Sequence, residues 1–356
     1  MKIAQVAPLF ESVPPKGYGG TERVVSYLTE ALVAQGHQVT LFASGDSLTA
    51  AELVPVVDRA IRLDPRRPEW LVWHTVMLDE VFSRAATFDA IHFHVDFLHY
   101  PLARVCPAPC VTTLHGRLDL QDLPPLHRHF SEHPLVSISD SQRKPMPSAN
   151  WCATVHHGLP RDLYRFHAQP DDYFAFIGRV SPEKRLDRAI EIAVRCNTRL
   201  RIAAKVDTAD QLYFEHHIRP LLAHPLVEFV GEIGECEKND FIGRARALLF
   251  PIDWPEPFGL VMIEAFACGT PVVAYRCGSV PEVMRDGITG VIVEHQDEAV
   301  AAARSIGRID RRRCREEFER RFTSATMAAR YVEVYQTLIG TRSNLPWQPM
   351  PAEMAQ

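Results

Sequence analysis

The chain has 356 residues, 46% of them hydrophobic and 23% charged, with a net charge of −5 and a pI near 6.3. That length accommodates two domains of ordinary size, and the composition matches a soluble globular protein. The acidic balance leaves no global basic field to draw in nucleic acid, and lysine is confined to positions 2, 16, 144, 184, 205 and 238.

The opening run Met1–Pro8 reads as a buried first strand rather than a signal peptide. No stretch approaches the roughly 18 apolar residues of a membrane span, so the expected location is the cytoplasm. Cys106 and Cys110 lack the C-x-x-C spacing and read, like the other cysteines, as isolated thiols in a reducing compartment. Strands are predicted at Ile3–Pro8, Gln38–Ala43, Ala90–His94, Cys110–Leu114, Leu135–Ser139 and Ala153–His156, with a helix over Thr21–Gln35 stopped by Gly36. The proline-rich stretch Pro160–Asp172 reads as a hinge. Beyond it the plan repeats, with strands at Tyr173–Ile177, Leu200–Ala204, Val227–Val230, Ala247–Pro251, Pro271–Ala274 and Gly290–Val293. Helices are predicted over Pro182–Cys196 and Phe258–Cys268. This alternation predicts an α/β protein of two doubly wound, parallel-sheet domains, residues 1–165 and 170–322, facing each other across a cleft. An amphipathic segment, Ala325–Leu338, predicts a last helix within 323–340, and the polar tail 341–356 is expected to be disordered.

The loop G-Y-G-G-T-E-R places Gly17, Gly19 and Gly20 before a helix, where bare backbone can approach a phosphate; a flexible loop with a Thr cap explains it nearly as well. His115 ends a predicted strand, where it can donate to a sugar hydroxyl or serve as a structural histidine. His92 and His94 share one strand face without an evident third ligand, which favours a core or acceptor-side role over zinc. In F-I-G-R-V-S-P-E-K-R, Arg179 and Lys184 follow a strand and can together clasp a diphosphate. In W-P-E-P-F-G-L-V-M-I-E-A, Glu256 and Glu264 stand eight positions apart, so that a loop and the helix after it can turn both acids into one cleft. A charge inside the apolar run around Glu264 is costly unless a ligand or partner meets it. Gly278 and Ser279 offer further backbone N–H groups to a phosphate. There is no D-x-D triplet for a divalent ion and no G-x-S-x-G elbow, so neither a metal nor a cofactor is expected.

In this order the segments resemble the retaining GT-B glycosyltransferases of family 4. The resemblance runs from G-Y-G-G through T-L-H-G, G-R-V-S-P-E-K, E-P-F-G-L-V-M-I-E-A, G-T-P-V-V-A and G-S-V-P-E-V to D-G-I-T-G, and its most specific part is the R-x4-K pair followed by E-x7-E. It implies a nucleotide diphosphate sugar as donor, UDP-linked by preference over GDP-linked, and transfer to an acceptor bound by the first domain. By the same resemblance Arg179 and Lys184 neutralise the diphosphate, Glu264 holds the ribose and Glu256 the transferred sugar. Phe258, Gly259 and Leu260 line the pocket, the Gly19–Gly20 loop lies across the pyrophosphate, and His115 contacts the sugar near the reacting carbon. Where relatives carry a G-x-G-P turn this chain has I-A-A-K-V-D, which adds Lys205 as a phosphate or base contact. A phosphorylase, a sugar-nucleotide epimerase and a non-catalytic sensor are the alternatives on the same fold. The arginines at 62, 66 and 67 before Trp70, Leu71 and Trp73 suggest weak peripheral membrane contact, or an ordinary surface loop leading into a core helix.

Overall fold

The computed structural model describes residues 1–17 and 19–343; Tyr18 and the tail from residue 344 lie outside the described residues. Short runs of Val, Ile, Phe and Ala form central strands buried on both faces, as parallel sheets covered by helices require. The first sheet has the order β3-β2-β1-β4-β5-β6-β7, from β1 (Lys2–Val6), β2 (Gln38–Ser44), β3 (Glu52–Val57), β4 (Ala90–Phe93), β5 (Cys110–Thr113), β6 (Leu135–Ser137) and β7 (Trp151–Thr154). The second has the order β10-β9-β8-β11-β12-β13, from β8 (Tyr173–Arg179), β9 (Arg199–Lys205), β10 (Val227–Gly231), β11 (Ala247–Phe250), β12 (Val272–Tyr275) and β13 (Gly290–Val293). Every pairing is parallel. In each sheet the order reverses beside the first strand, β1 against β4 and β8 against β11, and such a reversal opens a crevice at the carboxyl ends.

The chain crosses between the halves twice, side by side. Leu159 bridges Thr323, with the Leu159 amide donating to the Phe322 carbonyl at 2.9 Å and Ser324 donating back to Leu159 at 2.7 Å. The last helix, Ser324–Ser343, then packs on the Gly20–Ala34 helix of the first half and buries Met327, Tyr331 and Tyr335. It runs through Gly340 to Ser343, further than the predicted boundary of order.

Two further expectations change. β3, E-L-V-P-V-V, was not predicted, since Pro55 removes a donor; the strand forms at the sheet edge, where that loss is tolerated. The helix expected over Pro182–Cys196 breaks: Pro182–Lys184 make a short 3-10 turn, Arg185 takes φ +52°, and the α-helix starts at Leu186. Arg185 is held there by Asp187 and Asp253, each at 2.8 Å. Among the described residues no helix is long and apolar enough to cross a membrane.

The first half buries an unusual number of imidazoles. Burial pushes His92, His94, His99 and His157 well below the ordinary histidine value and His133 down to about 4. Each is neutral when folded and protonates near 6.5 when unfolded, so unfolding takes up protons below that pH. Their contribution to stability is complete above about pH 6.5 and is lost progressively as pH falls below it, for His133 down to about pH 4. The thermal midpoint should be flat between about pH 7.5 and 8.5 and fall by about 5 °C or more by pH 5. A flat profile down to pH 5 would contradict this reading.

Candidate active site

The carboxyl ends of both sheets, with their following loops, enclose a cleft of about 550 Å³. From the first half it is lined by Gly17, Gly19 and Gly20, by Arg23 and by His115 after β5. From the second half come Arg179, Lys184, Lys205, Glu256, Phe258, Gly259, Leu260 and Glu264. The glycine loop, His115, the three cations and the two acids singled out by the sequence therefore border one space, whereas Gly278 and Ser279 do not.

Glu256 sits on the loop entering the Leu260–Cys268 helix. Its Oε2 pairs with the Lys184 ammonium and accepts from Trp254 Nε1 at 3.0 Å, and the ammonium also lies 5.4 Å from the Trp254 ring centre. The loop is braced from behind. Gly278 has φ +58°, and a Cβ there would lie 2.3 Å from the Glu256 nitrogen. This close approach lets Ser279 donate from its backbone to the Glu256 carbonyl at 3.0 Å and from Oγ to the Phe258 carbonyl at 2.8 Å. Gly278 and Ser279 thus buttress the acid loop, and neither lines the cleft as a phosphate contact. Gly259, at φ +77°, turns the chain into the helix with no side-chain cap, leaving the first N–H groups at the cleft wall.

Glu264, 3% exposed, is matched by Lys238 at 2.9 Å. Lys238 also lies 3.6 Å from Glu235, which pairs with Arg23 of the first half at 2.6 Å and with the Tyr164 hydroxyl. Burial works against charge on Lys238, but Glu264 and then Glu235 outweigh it and raise its proton affinity above the ordinary lysine value. Glu235 and Lys238, one turn apart on their helix, carried no motif signal, and Arg23 stood only as the last residue of G-Y-G-G-T-E-R with no role assigned.

β8 and β9 pair with Arg179 opposite Lys205, which sets two cations side by side at the strand ends. Arg179 is held by Glu183 at 2.8 Å, Asp210 at 3.3 Å and Asp207 at 3.7 Å, and Lys205 lies 3.0 Å from Asp207. His115 is half-buried, with burial pushing its proton affinity down to about 3; its Nε2 lies 2.8 Å from His94 Nδ1 and its ring stacks on His157. Outside the cleft, Trp70, Leu71 and Val72 are exposed on the Trp70–Ser83 helix. Arg66 is paired with Asp64 at 2.7 Å and Arg62 with Glu11 at 3.4 Å, so this stretch carries less positive charge than its sequence suggests.

Cations, a helix N-terminus and hydrogen-bonding acids around one cleft suit a ligand that carries both an anionic group and a polyhydroxylated one. Gly278→Ala should cost about 2 kcal/mol or more in urea unfolding, from the backbone strain and the clash with Glu256, and Ser279→Ala about 1 kcal/mol. A stability change within about 0.5 kcal/mol for both would show that the loop needs no such brace.

Residues 165–324 match the family model described as glycosyl transferases group 1, and residues 18–212 match that of glycosyltransferase family 4. The chain is 25% identical over 380 residues to the phosphatidyl-myo-inositol mannosyltransferase of Mycobacterium leprae, covering 97% of this chain and 99% of that one. It is 28% identical over 350 residues to the glycogen synthase of Mycobacterium tuberculosis, covering 82% and 83%. Among solved structures, AviGT4, a glycosyltransferase involved in avilamycin A biosynthesis, is 26% identical with a TM-score of 0.74 over 98% of this chain and all of that one. HepE of Anabaena, solved in complex with UDP and glucose, shares the fold at 17% identity and a TM-score of 0.74, over 95% of this chain and all of that one. With the cleft, the paired sheets and both family models in agreement, the chain belongs to glycosyltransferase family 4 and is a glycosyltransferase of the GT-B fold.

Proposed function

We propose that the enzyme moves a sugar from a nucleotide diphosphate sugar to an acceptor held by the first domain, with retention of anomeric configuration and without a metal ion. UDP is the preferred nucleotide and GDP the second choice; the complex of HepE with UDP and glucose supports this choice. One observation carries the reading: Lys184 and Arg179 border the same cleft as Glu256 and Glu264, at the N-terminus of the Leu260–Cys268 helix.

The chemistry follows from charge. As the anomeric C–O bond breaks, its electron pair stays on the β-phosphate oxygen and positive charge builds on the sugar ring. Arg179, Lys184 and the helix N-terminus stabilise the leaving diphosphate. The acceptor oxygen attacks from the face that the nucleotide vacates, and the phosphate oxygen takes the acceptor proton, so no separate protein base is needed. Lys184 reaches the phosphate by loosening its hold on Glu256, which frees that carboxylate for the sugar hydroxyls. Glu264, with one oxygen on Lys238, keeps the other for the ribose diol. The proposed location is the cytoplasm, with at most weak peripheral membrane contact at the stretch of Arg62, Arg66, Arg67, Trp70, Leu71 and Trp73, where Trp70 and Leu71 are exposed.

The purified protein, incubated with UDP-, GDP- and ADP-sugars and a pool of acceptors, should release nucleotide from one donor class and glycosylate an acceptor. Phosphate-dependent cleavage of a disaccharide, or epimerisation of the donor without acceptor, would replace this reading with another. Lys184→Ala should weaken donor binding about tenfold or more, since a charge-assisted contact is lost. Glu256→Gln should slow turnover about tenfold or more while nucleotide affinity stays within about threefold. Unchanged kinetics in the first variant, or a pure affinity loss in the second, would remove those roles.

A further inference from the structure

An unbroken line of hydrogen bonds joins the last helix to the wall of the cleft. Tyr331 OH lies 2.9 Å from Thr113 Oγ1, and that oxygen lies 2.8 Å from His92 Nε2. His92 Nδ1 lies 2.8 Å from Tyr335 OH, which accepts from Gln5 Nε2 at 3.0 Å. Gln5 Oε1 lies 2.9 Å from His94 Nε2, and His94 Nδ1 lies 2.8 Å from His115 Nε2. Every member before His115 is buried.

A neutral imidazole donates from one nitrogen and accepts at the other, and an amide oxygen only accepts. Gln5 Oε1 therefore takes its hydrogen from His94 Nε2. That leaves His94 Nδ1 as an acceptor, so the hydrogen between the two rings belongs to His115 Nε2. The remaining nitrogen of His115, Nδ1, is then a bare lone pair, and among the described residues it has no hydrogen-bond partner. Reversing the Gln5 amide would reverse each bond in turn and leave His115 with a buried, unpartnered N–H, the costlier arrangement.

We propose that Gln5, His94 and Tyr335 are positioning residues that fix His115 as its Nε2–H form, so that Nδ1 accepts a hydrogen bond from a hydroxyl of the transferred sugar. This rests on the function proposed above and changes the role expected from the sequence, in which His115 donates. The enzyme then requires a hydroxyl hydrogen at one sugar position, and a fluorine there, which cannot donate, is rejected.

Two measurements on the full chain test this. Nitrogen-15 NMR of histidine-labelled protein, with His115→Asn to assign the ring, should show Nε2 protonated and Nδ1 bare in His115; a protonated Nδ1 overturns the proposal. Tyr335→Phe, compared at equal folded fraction, should give a mixed His115 form and kcat lower by about tenfold, with donor KM and UDP affinity within about twofold. A variant that shifts only the thermal midpoint, with kcat per folded molecule and ring form unchanged, shows a packing role and overturns it as well. The ring form is read without substrate, so a wild type that turns over no nucleotide sugar sinks the functional reading while this inference is still decided by NMR.

Discussion

The site depends on matching buried carboxylates with cations. Glu264 is 3% exposed inside an apolar helix, and an unpaired charge there would cost several kcal/mol. Lys238 meets it, Glu235 balances Lys238, and Arg23 reaches over from the other half to balance Glu235. Glu256 is matched the same way by Lys184, and Arg179 by three acids. The cleft is thus a set of charges already in pairs. A diphosphate offers the cations a better anion, and sugar hydroxyls offer the acids replacement donors, so binding exchanges partners without stranding charge. That exchange links recognition of the nucleotide to the alignment of the sugar.

Topology decides why these charges meet. In both sheets the strand order reverses beside the first strand, and side chains placed just past the strand ends fall into the crevice. The register of β8 on β9 brings Arg179 next to Lys205, the loop after β11 brings Glu256, and β5 brings His115 from the opposite sheet. The last helix does more than tie the halves together. Its tyrosines enter the polar line behind β1, β4 and β5, so the helix that packs there is also hydrogen-bonded, through Gln5 and His94, to the His115 ring.

Much of this was legible in the sequence because period and turn chemistry act locally. The strands with near-continuous apolar runs, the Gly36 stop and the acids flanking a glycine-initiated helix were all readable from neighbours in sequence. What stayed hidden required a partner distant in the chain. Pro55 disguised an edge strand, and the ion pairs of Arg185 with Asp187 and Asp253 broke a helix whose own pattern is continuous. Gly278 has the local pattern of a phosphate turn, but the Glu256 backbone, twenty-two positions earlier, packs against its Cα. Lys238 had no motif at all, and the core or acceptor-side role expected of His94 did not reveal its partners, since their meaning lies in Glu264, Gln5 and His115, each at least twenty-one positions away.

A crystal structure of the protein with UDP bound tests the central claim most directly. The account predicts the β-phosphate within hydrogen-bonding distance of Arg179 and Lys184 at the start of the Leu260–Cys268 helix, the ribose hydroxyls on Glu264, and Lys184 drawn away from Glu256. A nucleotide seated elsewhere, or one bound in the cleft with the Lys184–Glu256 pair intact and its phosphates away from both cations, would contradict it.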